Sequence, residues 1–175
     1  MDKVVVRAET DGDVKAIDVV NLSAFEGEAE ALLVDAVRQS PDFVRDLSLV
    51  AEINGRIVGH VLLSKVSLER DGQSDTVLAL GPMSVVPSQS HRGIGSALIE
   101  AAINRAKGMC YTAIIVAGHP DYYQRFGFQP AEKFGLSVNL ELPVDSLTAM
   151  ELETGVLSQG GQVSFPDAFA ALFRQ

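Results

Sequence analysis

The spacing of apolar residues in the first part of the chain predicts one strand followed by two helices. Residues 4–8 are mostly β-branched, which favours a short strand. Thr10 or Asp11 can cap a helix that runs to about Phe25. Between residues 28 and 40 apolar side chains recur at helical spacing, so a second helix is predicted there.

The middle of the chain has the pattern of an antiparallel meander. Residues 47–53 and 56–68 are both β-rich, and Asn54-Gly55 between them tolerates the positive φ angles of a tight hairpin turn. A third strand is predicted at 76–86. Gly81-Pro82 implies a bulge or bend in it, because proline has no N–H to donate to a sheet.

The second half predicts a crossover and several shorter elements. Apolar residues at three- and four-residue steps predict a helix at 93–107, and the apolar run at 112–117 predicts a strand. Because a helix connects them, the strands at 76–86 and 112–117 are predicted to be parallel. Residues 120–126 favour a short helix that ends at Gly127. The last predicted elements are strands at 136–142 and 161–165, and a segment at 144–152 that fits either a helix or a strand.

This order of elements predicts a mixed α/β (α+β) fold in one domain. The chain has 175 residues, 47% of them hydrophobic and 21% charged, which is enough for a sizeable core. The formal net charge of −9 argues against a nucleic-acid partner. Residues 87–126 nevertheless carry four basic and two acidic side chains. A small anionic ligand is therefore expected in this segment.

Other features of the composition exclude further classes of protein. Cys110 is the single cysteine, which excludes an intrachain disulfide and favours a cytoplasmic location. The three histidines lack metal-ligand spacing, so no metal site is predicted. No apolar run approaches the roughly 18 residues that cross a bilayer, and no secretory signal is visible, so no membrane association is expected.

Residues 92–97 have the pattern of an anion-binding helix start. The sequence Arg-Gly-Ile-Gly-Ser-Ala follows a predicted strand and opens a predicted helix, whose first N–H groups have no helical partner. A dinucleotide site needs a small residue where Leu98 stands, and no Gly-Lys-Ser/Thr follows for a mononucleotide loop. A pyrophosphate site of another kind and an ordinary tight turn both remain open.

Two motifs resemble those of one enzyme family. The strand, turn and helix that begin at Met83 resemble the acetyl-coenzyme A motif of the GNAT superfamily of N-acetyltransferases, Gln/Arg-x-x-Gly-x-Gly/Ala. Ser90 stands at the Gln/Arg position, with Gln89 before it and Arg92 beside the glycine. Residues 118–131 contain Gly-His-Pro-Asp-Tyr-Tyr-Gln-Arg-Phe-Gly-Phe, which resembles a segment of a bacterial branch of predicted N-acetyltransferases.

The resemblance implies a fold, a co-substrate and an acceptor. The fold would be a mostly antiparallel sheet flanked by helices, with strands that splay apart after the fourth. A single domain would cover 1–175, with the cofactor motif at about 83–107 and an acceptor-side segment at about 128–175. Acetyl-CoA would be bound, a small-molecule or peptide amine would enter near the 25–30 loop, and the family is compatible with a homodimer. The residues expected to bind the cofactor are Val85, Val86, His91, Arg92, Gly93, Ile94, Gly95, Ser96, Ala97, Tyr123 and Phe126.

The expected reaction is direct attack of a neutral amine on the acetyl group in a ternary complex. The resemblance implies that Tyr123 is the catalytic acid for the departing thiolate, since tyrosine is protonated at neutral pH. The backbone N–H of Val85 or Val86 could donate a hydrogen bond to the oxyanion that forms during the attack. A covalent route through Cys110 is disfavoured because no base is near it in sequence. The base is left open among Glu26, Glu28, His60, His119 and water.

Two other functions remain open at this point. Ser90 at the Gln/Arg position and the lack of an evident base are compatible with a non-catalytic acyl-CoA-binding or sensory module. The apolar residues at 165–173 are compatible with a structural or interaction protein. Release of free CoA in the presence of an amine would exclude the module.

Overall fold

The structure, a computed structural model, describes residues 3–143 and 145–173. The other five residues of the predicted domain (1, 2, 144, 174 and 175) lie outside the described part of the chain. The helices are α1 Val14–Ala24, α2 Ala29–Arg38, α3 Ile94–Gly108 and α4 Pro120–Gln124. The strands are β1 Val4–Ala8, β2 Phe43–Ile53, β3 Arg56–Arg70, β4 Gln73–Val85, β5 Ala113–Ala117, β6 Gln129–Pro130, β7 Leu136–Val138, β8 Leu147–Glu151 and β9 Gly161–Ser164. Short 3₁₀ helices lie at Asp11–Asp13, Pro87–Gln89, Ala131–Phe134 and Asp167–Phe173.

The strands form one mixed, mostly antiparallel sheet, as predicted. Its order is β1-β2-β3-β4-β5-β8-β6, with β9 paired to β3 and β7 paired to β9. The β4–β5 pair is parallel, which confirms the predicted crossover through α3. The remaining pairs are antiparallel except for β7–β9.

The sheet opens between β4 and β5, which confirms the expected splay after the fourth strand. The parallel pairing ends at Leu80 opposite Val116, whereas β4 continues to Val85 beside β3. The opening begins at Gly81-Pro82, where the register of β4 against β3 also shifts. Since Pro82 has no N–H, β4 loses a ladder donor at this point.

The core lies on both faces of the sheet because side chains alternate along each strand. Leu49 and Val61 pack on the α3 side, with Leu98 and its neighbours in that helix. Val50 and Leu62 pack on the other side, beneath α1, α2 and the 3₁₀ helix at Asp167–Phe173. All four of these strand residues are fully buried.

Several element boundaries differ from the sequence predictions. β2 begins at Phe43 rather than 47, and the β3–β4 hairpin closes tightly on Asp71-Gly72, whose φ angles of 51° and 76° suit a two-residue turn. The strand predicted at 136–142 ends at Val138. The open segment at 144–152 contains a strand, β8, which lies beside β5. β6 and the 3₁₀ helices are too short to leave a periodic signal.

Candidate active site

The glycine-rich turn and the tyrosine segment meet at the open edge of β4. Gly93 has a φ of 77° and precedes α3, whose first helical hydrogen bond runs from the Ala97 N–H to the Gly93 carbonyl at 3.0 Å. The N–H groups before Ala97 therefore face out of the helix end, whereas the Ala97 N–H is used inside it. A Cβ at Gly95 would lie 2.9 Å from the Tyr122 hydroxyl, so only glycine fits against that side chain without displacing it.

A cavity of about 420 Å³ lies beside this turn. Of the predicted cofactor-binding residues, those that line it are Val85, His91, Gly93, Ile94, Gly95 and Ser96. The other residues in its wall were not among those expected to bind the cofactor; they are Met83, Gln89, Ser90, Tyr122 and Arg125. The predicted residues Val86, Arg92, Ala97, Tyr123 and Phe126 are not among the lining residues of this cavity.

The backbone hydrogen bonds of β4 explain why Val85 lines the larger cavity and Val86 does not. The Val86 N–H donates to the Val58 carbonyl at 2.8 Å, so the expectation that it could stabilise an oxyanion is wrong. Hydrogen-bonded and non-hydrogen-bonded pairs alternate along an antiparallel ladder. Because Val86 is hydrogen-bonded towards β3, the preceding residue, Val85, is in a non-hydrogen-bonded pair. The polar backbone groups of Val85 and Met83 therefore point away from β3, into the open side. An extended amide chain can pair with them as an added strand.

The charged and polar side chains at the turn are arranged differently from the expectation. The Ser90 hydroxyl donates to the Pro87 carbonyl at 2.9 Å, so the residue at the Gln/Arg position is engaged locally. Arg92 is exposed. The cation in the cavity wall is Arg125, whose guanidinium lies 5.3 Å from the centre of the Tyr122 ring and 5.6 Å from that of Phe126.

The predicted site aromatics Tyr123 and Phe126 belong to one edge-to-face cluster with Tyr122 and Phe128. The Tyr122 ring centre lies 5.2 Å from that of Tyr123 and 5.5 Å from that of Phe126. Phe128 is buried behind them, 5.8 Å from Tyr123. Burial, with a smaller contribution from Tyr122, raises the pKa of Tyr123 to about 12. Tyr123 therefore keeps its proton at neutral pH.

A second cavity, of about 210 Å³, lies on the far side of Met83, which lines both. Its sheet side is formed by the opening of β4 and by the end of β5, at Leu80, Gly81, Pro82, Met83 and Ala117. Tyr123 closes one side. The residues opposite come from the α1–α2 loop, α2 and the C-terminal segment, namely Phe25, Glu30, Phe165, Phe169 and Leu172. Both segments expected to form an acceptor site are present here.

The candidate bases named from the sequence do not line this second cavity. Glu26, Glu28 and His119 are exposed, and the structure places Glu30 in the wall instead. Glu30 lies in the first turn of α2, two residues beyond Glu28. The sequence could have indicated the loop but not which of its carboxylates turns inward, because the α1–α2 geometry depends on packing against the sheet.

His60 is fully buried in a polar network, and the prediction that it is a candidate base is wrong. Its Nδ1 lies 3.4 Å from the Asn21 amide nitrogen and its Nε2 lies 2.9 Å from Ser48 Oγ. Since an amide nitrogen only donates, Nδ1 accepts and Nε2 carries the proton. Ser48 then donates to Glu9, which also pairs with Arg38. Burial first, and then the charge of Arg38, lower the pKa of His60 to about 3.

Other expectations concern residues away from both cavities. Cys110 is exposed just beyond α3 and lines neither cavity. Within the described residues, no group of three or more His, Cys, Asp or Glu side chains could hold a metal ion. None of the helices in the described ranges has the length and apolarity that a bilayer crossing requires.

Comparisons with known proteins converge on one family. Residues 45–130 match the model of the acetyltransferase (GNAT) domain. The uncharacterized N-acetyltransferase YjhQ of Escherichia coli is 32% identical over 118 residues, which cover 67% of this chain and 65% of YjhQ. The chain thus spans slightly less than two thirds of YjhQ. The uncharacterized N-acetyltransferase YhbS of E. coli is 30% identical over 127 residues, which cover 72% of this chain and 74% of YhbS.

Solved structures agree with these matches. The crystal structure of YhbS from E. coli in complex with CoA superposes with a TM-score of 0.87 at 25% identity, covering 97% of this chain and 93% of that one. A GNAT family acetyltransferase from Brucella melitensis, solved in complex with acetyl-CoA, gives a TM-score of 0.78 at 27% identity, with 95% and 98% coverage. With its open β4 edge and glycine turn in the same fold, the chain belongs to the GNAT acetyltransferase family.

Proposed function

We propose that the protein transfers an acetyl group from acetyl-CoA to a primary amine by direct attack in a ternary complex. The observation that carries the proposal is that two cavities meet at Met83, one lined by the glycine turn and the other by Tyr123 and Glu30. One cavity suits a phosphate-bearing co-substrate and the other an acceptor. YhbS and the Brucella protein were crystallised with CoA and acetyl-CoA, which supports the same co-substrate here.

The residues in the larger cavity fit acetyl-CoA. The N–H groups at the start of α3 and the Arg125 guanidinium supply donors and positive charge for a pyrophosphate. The outward backbone groups of Met83 and Val85 match the amides of a pantetheine arm. Gln89 also lines this cavity.

Tyr123 is proposed to assist departure of the sulfur. Acetyl-CoA supplies an activated thioester, and the bond that breaks leaves negative charge on sulfur. With its pKa raised to about 12, Tyr123 is protonated at neutral pH and can donate a hydrogen bond. It therefore stabilises a thiolate, whose ordinary pKa is near 8.5, by donation, and solvent completes the protonation.

The experiment that tests the proposal measures release of free CoA from acetyl-CoA with a panel of primary amines. Amine-dependent release supports the transfer reaction. Binding of acetyl-CoA without release for any amine would favour the competing function, a non-catalytic acyl-CoA-binding or sensory module. The cytoplasmic location and a homodimer remain predictions of the sequence.

A further inference from the structure

The smaller cavity has an unusual distribution of charge and apolar surface. Its wall consists mainly of apolar side chains, among them Phe25, Leu80 and Leu172. Glu30 is the one charged residue among the described lining residues, and it is half-buried. Tyr123 adds a neutral hydroxyl. We infer that the acceptor is a small primary amine with a single positive charge on an apolar body, and that Glu30 receives its ammonium group. The inference rests on the proposed acetyl transfer and names its acceptor class.

Among the described lining residues, Glu30 is the anionic group to which an ammonium can bind. A charged group that enters an apolar cavity is stable there only if an opposite charge or hydrogen bonds replace its water. The neighbouring carboxylates Glu26 and Glu28 are exposed and lie outside the cavity wall. No ion pair joins Glu30 to a basic side chain in the described ranges. The carboxylate can therefore both hold the ammonium and accept the proton that it must lose before attack.

The wall opposite the sheet determines which chemical groups the acceptor can carry beyond its amine. Phe165 and Phe169 are buried, with ring centres 5.2 Å apart, and Leu172 continues the same surface. Apolar burial strengthens binding by roughly fourfold per methylene group. A cavity of about 210 Å³ is below the range of roughly 300–1,000 Å³ for drug-sized ligands, so the apolar body is small.

The same wall disfavours acceptors with a second charge. The far ammonium of a diamine would lie against phenylalanine and leucine side chains with no carboxylate among the described lining residues. The carboxylate of a free amino acid would meet Glu30 or the apolar wall, and no basic residue in the described lining could pair with it. Polyamines and free amino acids are thus expected to be poor acceptors although the protein as a whole is acidic.

Three amines with the same six-carbon chain test the inference. Hexylamine, 1,6-diaminohexane and 6-aminohexanoate would each be assayed for kcat/KM at saturating acetyl-CoA, and for binding to the CoA-loaded protein by ligand-observed NMR. Hexylamine is expected to exceed the other two by at least about tenfold in both measurements. Equal or better use of the diamine or the amino acid would overturn the inference, as would binding of none of the three. The proposed function survives either result if another amine releases CoA. Absence of acetyl-CoA binding instead overturns the proposed function, and the inference with it.

Matched variants separate the role of Glu30 from that of charge in general. Glu30→Gln should weaken hexylamine binding by about tenfold or more, because a charge-assisted contact is lost, and should leave acetyl-CoA affinity unchanged. Glu28→Gln removes the same charge from the exposed part of the loop and should change neither. Equal effects of the two variants would contradict the assignment.

A gain of function provides an independent test of the apolar wall. Leu172→Glu adds a second carboxylate to the apolar wall of the cavity, and it should raise the use of 1,6-diaminohexane relative to hexylamine by several-fold. Ala171→Glu adds the same charge at an exposed neighbouring position outside the wall and should not change the ratio. A shift of the ratio in both variants, or in neither, would show that the wall does not select the acceptor.

Discussion

Replacing His60 with glutamine should remove a specific part of the pH dependence of folding. His60 has a pKa of about 3 in the folded protein and an ordinary value of 6.5 when exposed. The unfolded chain therefore binds a proton that the folded chain excludes, and stability is lost as the pH falls from 6.5 towards 3. At pH 7.5 and above this contribution is almost fully present.

The size of the effect follows from the pKa difference. Each unit corresponds to about 1.36 kcal/mol, so the two units between pH 6.5 and pH 4.5 lower the free energy of unfolding by about 3 kcal/mol. The Asp13 carboxyl, whose pKa is held below its usual value mainly by a hydrogen bond from Arg7, titrates at lower pH. Of these two groups, His60 therefore accounts for most of the stability lost between pH 6.5 and pH 4.5.

The assay is urea unfolding at several pH values between 7.5 and 4.5. His60→Gln should be less stable at neutral pH, since it disturbs bonds to Ser48 and Asn21, but its stability should fall by about 3 kcal/mol less across the window. His119→Gln, at an exposed position, should follow the unchanged protein. If the His60→Gln protein does not fold, NMR of the unchanged protein decides: a His60 ring that titrates near pH 6.5 would refute the reasoning.

Three further predictions follow from the site and the core. Tyr123→Phe should lower kcat by roughly 10- to 150-fold, the equivalent of one hydrogen bond to a charged group, and should leave acetyl-CoA affinity unchanged. Tyr111→Phe, outside both cavities, should have no effect. An unchanged kcat for Tyr123→Phe in steady-state kinetics would remove the assigned role. Arg125→Gln should weaken acetyl-CoA binding by about three- to tenfold at low salt, and less at high salt. Lys107→Gln, at an exposed position, should not weaken this binding. A loss of affinity that does not depend on salt in titration calorimetry would contradict an electrostatic role. Gly59→Ala should destabilise the fold by about 1–3 kcal/mol, because its Cβ would lie 3.0 Å from Leu98 Cδ1. Gly27→Ala is the control, because its Cβ would have no atom within 4 Å. Equal thermal stabilities of the two variants would refute this packing argument.

Local patterns predicted the parts of the fold that depend on nearby residues. Asn54-Gly55 joins β2 to β3 as expected, and the strand and helix around the glycine turn lie where periodicity placed them. These features depend on turn conformation and on the burial of one helix face. The same reasoning could not position β8, whose pairing with β5 joins segments far apart in sequence.

The candidate site was predicted in its backbone and less well in its side chains. The glycines and Val85 line the cavity because strand and turn geometry follow from local sequence. Arg125 lines the larger cavity in place of the expected Arg92, and Glu30 lines the smaller one although it was not among the candidate bases left open by the sequence. The side chain that faces a cavity is decided by how α4 and α2 pack on the sheet. The resemblance to the family pointed to the segment in which Arg125 lies but not to its orientation.

Calorimetric titration with acetyl-CoA tests the central claim most directly. The unchanged protein and a Gly108→Trp variant, whose substitution lies at the far end of α3 where a Cβ meets no atom within 4 Å, should bind with micromolar affinity. Gly95→Trp, which fills the turn beside Tyr122, should lose binding while remaining folded. Retained binding by Gly95→Trp, or no binding by the folded unchanged protein, would contradict the assignment of the glycine turn as the acetyl-CoA site.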